Sequence, residues 1–227
     1  MSNHKHIHKL SAAGVLISLG IIYGDIGTSP LYVFQAIIGS RPVTSDLIFG
    51  GLSCIFWTLT FQTTIKYVII TLRADNRGEG GIFSLFSLVR RKFPWLIVPA
   101  MVGGCALLAD GIITPPITVS SAIEGLEILY PGLDTVPIVI AILTVLFIIQ
   151  QFGSSLVGKA FGPIMFIWFT MMAVLGINYI VEYPQILQAI NPYYAVKLII
   201  ANPDSLIILG AVFLCTTGAE ALYSDLG

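Results

Sequence analysis

The chain has 227 residues, 56% of them hydrophobic and only 10% charged. A soluble domain carries about 25% charged residues, so this composition excludes a water-facing globular surface and points to helices embedded in a lipid bilayer. The net charge of −1, with no basic stretch interleaved with aromatics, excludes a nucleic-acid partner.

Residues 1–10 carry His4, His6, His8, Lys5 and Lys9 and read as a solvated N-terminal tail rather than a metal site. The transmembrane domain then covers 11–227, and no cleavable signal peptide is predicted, because the first apolar run lacks a small-residue cleavage site. A spanning helix needs about 20 mostly apolar residues, and six such runs are predicted: 11–38, 47–72, 96–129, 135–152, 158–182 and 204–227.

Within the first run, GDIGTSP (24–30) places two glycines, Asp25 and Pro30 in an otherwise apolar helix. Glycine permits unusual backbone angles and proline removes a donor, so the pattern predicts an unwound stretch that frees carbonyl oxygens. The alternative is a kink, with Gly20 and Gly24 as a small-xxx-small packing pair. After the second run, ADNRGEGG (74–81) suits a tight turn in which Arg77 and Glu79 could pair as a gate, or a plain solvated turn. It is no Walker A loop, since no Gly-Lys-Ser/Thr follows. IFSLFSLVRRKF (82–93) predicts a short amphipathic surface helix.

The third run is long enough to tilt strongly or to continue outside the membrane, and it carries Asp110 in ADGIITP (109–115). Pro137, Pro163 and Pro203 are placed near the starts of the last three runs, where a missing N–H costs little. The sixth run is interrupted at TTGAEALYSDLG (216–227) by Gly218 and Glu220, and the chain reads as a fragment ending within that span. Cys54, Cys105 and Cys215 lie far apart in apolar runs, which predicts buried thiols rather than disulfides or a zinc site.

Positive charge sets direction. A cytoplasmic N-terminus puts Lys5, Lys9, Arg73, Arg77, Arg90, Arg91, Lys92 and Lys159 inside, with Lys66 snorkelling to the same side. Only Arg41 and Lys197 then lie outside, beside Glu124, Glu127, Asp134, Glu182 and Asp204. The expected topology is multi-pass in the cell membrane with the N-terminus cytoplasmic.

Three acids fall inside predicted spans: Asp25, Asp110 and Glu220. Each costs about 2.5–3.5 kcal/mol to insert at a helix centre, which marks them as functional. Each has a hydroxyl at helical spacing: Tyr32 with Asp25, Thr114 with Asp110 and Thr217 with Glu220. Carboxylates, hydroxyls and freed carbonyls together suit a dehydrated monovalent cation. Two Gly-broken helices at the first and sixth positions fit a five-helix inverted repeat with its ion site at the repeat interface.

The motifs YGDIGTSPLYVF (23–34), ADNRGEGGIFSL (74–85), ADGIITPPITVSSAIEGL (109–126), FGPIM (161–165), INPYYA (190–195) and GAVFLCTTGAEALYSDLG (210–227) resemble the KUP/HAK/KT family of potassium-uptake permeases. The resemblance implies an all-α, leucine-transporter-like inverted-repeat fold of the amino acid-polyamine-organocation superfamily, with helices 1 and 6 broken. It also implies potassium uptake, usually coupled to protons, and a site of Asp25, Tyr32, Asp110, Thr114, Thr217 and Glu220. The third motif reads TPPIT where the family has TPAI or TPSI, which adds a proline without removing a ligand. Only about half of a family member's membrane domain is present on this reading.

Burial disfavours a charged carboxylate, so one of the three acids is expected to carry a proton for part of the cycle while Asp25 holds potassium. Potassium and protons are cargo; no resident cofactor and no enzymatic activity are expected. A homodimer of the full-length protein stands as an open expectation. Rival readings are an amino-acid permease of the same fold, whose substrate carboxylate Asp25 would repel, an intramembrane aspartyl protease, and a passive channel.

Overall fold

The computed structural model describes residues 12–74, 76, 79–127, 129–151 and 154–224, and within these the side chains at 12–14, 17, 18, 21, 22, 25, 154–160, 221 and 224 lie outside the description. The tail histidines, Arg77 and the Lys159 side chain therefore lie outside the described residues as well.

Among the described residues each predicted run is mainly helical. α1 runs Ala12–Ile38, and α2 runs Ser45–Leu59 and continues as a π-helix over Thr60–Ile70 and a 3-10 turn at Thr71–Arg73. The short α3 (Ile82–Val89) follows, then α4 (Ile97–Glu127), α5 (Thr135–Gln150) and α6 (Ser154–Glu182). After a 3-10 segment at Pro184–Ile190 come α7 (Pro192–Ala201), α8 (Ser205–Phe213), a 3-10 turn at Leu214–Thr216 and α9 (Ala221–Ser224). Among the described residues, Ser45–Arg73, Pro94–Glu127 and Phe161–Glu182 are long and apolar enough to cross a membrane. Ile26–Ile38, Thr135–Gln150, Pro192–Ala201 and Ser205–Thr216 are shorter apolar helices. The chain is an all-helical membrane protein.

Helix starts follow local side-chain chemistry. The Thr44 hydroxyl accepts the Leu47 N–H at 3.3 Å, Asp134 accepts that of Val136 at 3.3 Å, and Asn191 accepts that of Tyr193 at 3.0 Å. Each satisfies a donor that the first helical turn leaves unpaired.

The buried core lies between α1, α2, α7 and α8. Val33 and Ile37 meet Leu47, Cys54 and Ile55, closed by Ala195, Leu198, Ile208, Val212 and Cys215. Glycines set the approach distances. A Cβ at Gly20 would stand 2.5 Å from the backbone nitrogen of Gly162, so α1 and α6 touch backbone to backbone. At Gly50 a Cβ would meet Leu198 at 2.6 Å, which brings α7 hard against α2. Elsewhere large apolar side chains stay exposed, Ile112 on α4 and Val181 on α6 among them, as lipid-facing surfaces require.

The stretch 183–203, which carried no predicted element, is the 3-10 segment and α7. Ser53 and Trp57 of α2 donate to the carbonyls of Asn191 (3.0 Å) and Ile190 (2.9 Å), and Asp46 pairs with Lys197 at 2.8 Å. Arg41 donates to the Ile37 carbonyl at the end of α1 and pairs with Asp204 at 3.0 Å, tying in the start of α8.

Three expectations need correction. The first helix is not broken, for α1 stays helical through 24–30. Pro30 withdraws one donor from the ladder, but Thr28 donates back to the Gly24 carbonyl at 3.2 Å and the Trp168 indole donates to the Gly27 carbonyl at 3.2 Å. Such donors let a membrane helix keep a proline without unwinding. Pro163 sits in the interior of α6, because that helix begins at Ser154. Cys54 and Cys215 are buried thiols, whereas Cys105 on α4 is exposed.

Candidate functional site

The sixth run does break. Its helix tightens to 3-10 geometry at Leu214–Thr216, Thr217 turns to ψ 134°, and Gly218 takes φ +87°. That left-handed angle is open to glycine at little cost and expensive for other residues. Opening a helix removes the donors its last carbonyls would have met. The break therefore supplies polar backbone inside an apolar layer.

Beside it lies a cleft of about 290 Å³. Asp110 reaches it from α4, Thr217 and Glu220 from the break, and Gln62, Lys66 and Tyr67 from the π-helical part of the second span. Two carboxylates from elements more than 100 residues apart in sequence thus share one cavity. Thr114, buried one turn after Asp110, donates its hydroxyl to the Asp110 carboxylate at 3.0 Å. A hydrogen bond to a charged acceptor favours and orients that acceptor.

Of the other two predicted residues, Tyr32 is described and is not part of this group. The Tyr32 hydroxyl donates to Ser29 at 2.9 Å, and its ring packs against the core between α1 and α2 rather than lining the cleft. Asp25 has a helical backbone in α1, and its side chain lies outside the described residues. Glu124 is exposed and accepts from Ser120 at 3.4 Å, as a helix-end residue would.

Sequence reading passed over Gln62, Lys66 and Tyr67. In an α-helix residues five apart point to different faces; the wider π-helix brings Gln62 and Tyr67 to the same cleft. The Thr71 hydroxyl donates to the Lys66 carbonyl at 2.6 Å, a back-bond that suits this loosened ladder. A glutamine four residues before a lysine in an apolar run was the available signal; Lys66 was read only as snorkelling.

The described residues of the 74–81 loop pack against the far end of the break. Asn76 and Glu79 pair through their backbones at 2.9 and 3.2 Å, and Ser84 of α3 donates to the Glu79 carbonyl at 2.8 Å. Tyr223 of α9, almost fully buried, donates its hydroxyl to the Ala74 carbonyl. Gly80 packs so tightly on the Tyr223 backbone that no side chain fits there. The expected Arg77–Glu79 gate involves Arg77, which lies outside the described residues.

An all-helical membrane protein that opens one helix beside a cleft lined by two carboxylates is the class this geometry defines. Residues 12–227 match the model of the K+ potassium transporter integral membrane domain, and the chain belongs to that family. Over all of its length it is 63% identical to the probable potassium transport system protein Kup of Flavobacterium psychrophilum and 62% identical to that of Flavobacterium johnsoniae. It is 55% identical, again over all of its length, to the Kup protein of Clostridium perfringens. The chain spans 35%, 35% and 36% of these three relatives. No solved structure matches it.

Proposed function

We propose that this chain forms part of a carrier for potassium uptake across the cell membrane, working by proton symport and alternating access. The supporting observation is the convergence of Asp110, Thr217 and Glu220 on one cleft at a broken helix. Potassium has low charge density and needs several oxygens in place of its water. In this reading carboxylate, hydroxyl and opened backbone supply them, with Thr114 holding Asp110 in position. Asp110 or Glu220 carries the proton, and Asp25 and Tyr32 join the ion's shell when the helices rock. The whole protein takes a leucine-transporter-like inverted-repeat arrangement with a cytoplasmic N-terminus. The family match and the names of the relatives support potassium as the cargo.

The test is rubidium uptake by a full-length transporter carrying this segment, in a cell lacking its own potassium uptake, with and without a proton uncoupler. Uptake should fall with the uncoupler, and Asp110→Asn should abolish the proton-driven part. Uptake by Asp110→Asn that still follows a pH gradient would remove Asp110 as the carrier. Uptake indifferent to the gradient in the unmutated protein would point instead to a passive channel. Competition by amino acids would favour the permease reading.

A further inference from the structure

Three consecutive cations, Arg90, Arg91 and Lys92, follow the last turn of α3 and lead into α4. All three are exposed, and neither ion pair found among the described residues involves them. A helix C-terminus attracts positive charge, but its dipole offers only about half an elementary charge, too little for three. Large apolar side chains beside them are exposed as well: Phe83, Leu85 and Leu88 on α3, and Phe93 and Trp95 just before α4. Pro94–Glu127 is long and apolar enough to cross a membrane. Residues 90–95 therefore lie where a bilayer's headgroups begin, the level at which tryptophan is favoured.

We infer that this segment is a docking surface for anionic phospholipid headgroups, with Arg90, Arg91 and Lys92 on the phosphates and Phe93 and Trp95 seated at the boundary with the acyl chains. Long basic side chains lay their stems on apolar surface and reach outward with their charged heads. A leaflet containing anionic lipid attracts each basic group held near it. A soluble acidic partner would match the charge and leave the aromatic side chains uncovered. The leaflet matches both.

The surface extends to the cleft. Ile82, the first residue of α3, lines it beside Asp110. The Phe83 ring lies so close to α4 that a Cβ at Gly104 would stand 2.7 Å from it. Headgroups that hold α3 thereby hold one wall of the cleft. Lipid binding stands on the charges and aromatics alone, whereas its effect on transport rests on the proposed carrier.

The experiment uses a full-length transporter carrying this segment, purified in detergent, unmutated and as the triple variant Arg90→Gln, Arg91→Gln, Lys92→Gln. Melting is followed as phosphatidylglycerol, phosphatidylcholine or glycerol phosphate is added. Phosphatidylglycerol should raise the melting temperature of the unmutated protein. The concentration needed should rise about fivefold for each charge removed and about a hundredfold for all three. Arg91→Lys should match the unmutated protein, and added salt should weaken the effect. Equal stabilisation of the triple variant would overturn the inference, as would equal stabilisation by phosphatidylcholine. Stabilisation by glycerol phosphate at the same concentrations would also overturn it, by making a soluble phosphate the ligand. If the triple variant does not fold, Arg91→Gln and the salt titration decide, and a lipid effect unmoved by either overturns the inference. In vesicles, phosphatidylglycerol should increase rubidium uptake by the unmutated protein, and the triple variant should lose that increase. An equal increase in both would disconnect α3 from the cleft. Absence of uptake by the unmutated protein would count against the carrier function alone, because the melts are read without transport.

Discussion

Thr114 and Gly218 do most for the site with the least chemistry. The Thr114 hydroxyl is buried and points its proton at Asp110 from 3.0 Å. A hydrogen bond to a charged group contributes about 1.5–3 kcal/mol. Thr114→Val should therefore raise the potassium concentration for half-maximal uptake by roughly tenfold or more, and Thr114→Ser should restore it. Equal uptake curves for the valine and serine variants would show that the hydroxyl does not matter. Both residues were legible in the sequence, Thr114 by its spacing of four from Asp110 and Gly218 by its position in an apolar run. Lys66 was not, because in a one-dimensional reading a lysine near a span end looks lipid-facing. The folded chain places it on the cleft, beside Gln62 and Tyr67 of the π-helical segment.

Among the elements, α1 shows how one motif supports two readings that packing must separate. Gly20 and Gly24 form a small-xxx-small pair in the sequence, yet only Gly20 meets a neighbour. Its missing Cβ leaves room for the Gly162 backbone, whereas a Cβ at Gly24 would have nothing within 4 Å. Gly20→Ala must push α6 away, and overpacking of this kind costs about 1–3 kcal/mol. Gly24→Ala meets open space and improves helix propensity by about 1 kcal/mol. Melting of the detergent-purified protein should show a clear loss for the first and none for the second; equal melting temperatures would mean that α1 and α6 do not touch at Gly20. The same helix accounts for the failed expectation of a break. GDIGTSP has the composition of an unwound segment, but the helix there carries additional donors, the Thr28 hydroxyl on the Gly24 carbonyl and the Trp168 indole on that of Gly27. Trp168 lies 141 residues from Gly27, beyond any local pattern.

At the scale of the molecule, one side is laced by charge and the interior by shape. Asp46 and Lys197 join α2 to α7 there, and Arg41 and Asp204 join the end of α1 to the start of α8. The hydrogen bond that the Lys197 ammonium donates to Asp46 holds it above its ordinary value of 10.5. A group whose folded value is raised contributes stability below its unfolded value and loses it as pH rises through the folded one. The melting-temperature difference between the unmutated protein and Lys197→Ala should then stay constant from neutral pH to about pH 10 and shrink only above 10.5. A difference that already vanishes near neutrality would exclude this pair as its source. Composition and hydropathy by themselves determined that the chain is helical and suited to a membrane, and the glycine and acid at Gly218 and Glu220 marked the helix that does break, because lipid imposes the same demand on every spanning segment. The motifs alone carried the family. Tertiary structure decided the rest: that the first helix stays whole, that α7 folds onto α2, and that Asp110, Glu220 and Lys66 face one cavity. Those outcomes depend on partners more than 100 residues away, and the free energy of such contacts appears only once the helices are packed.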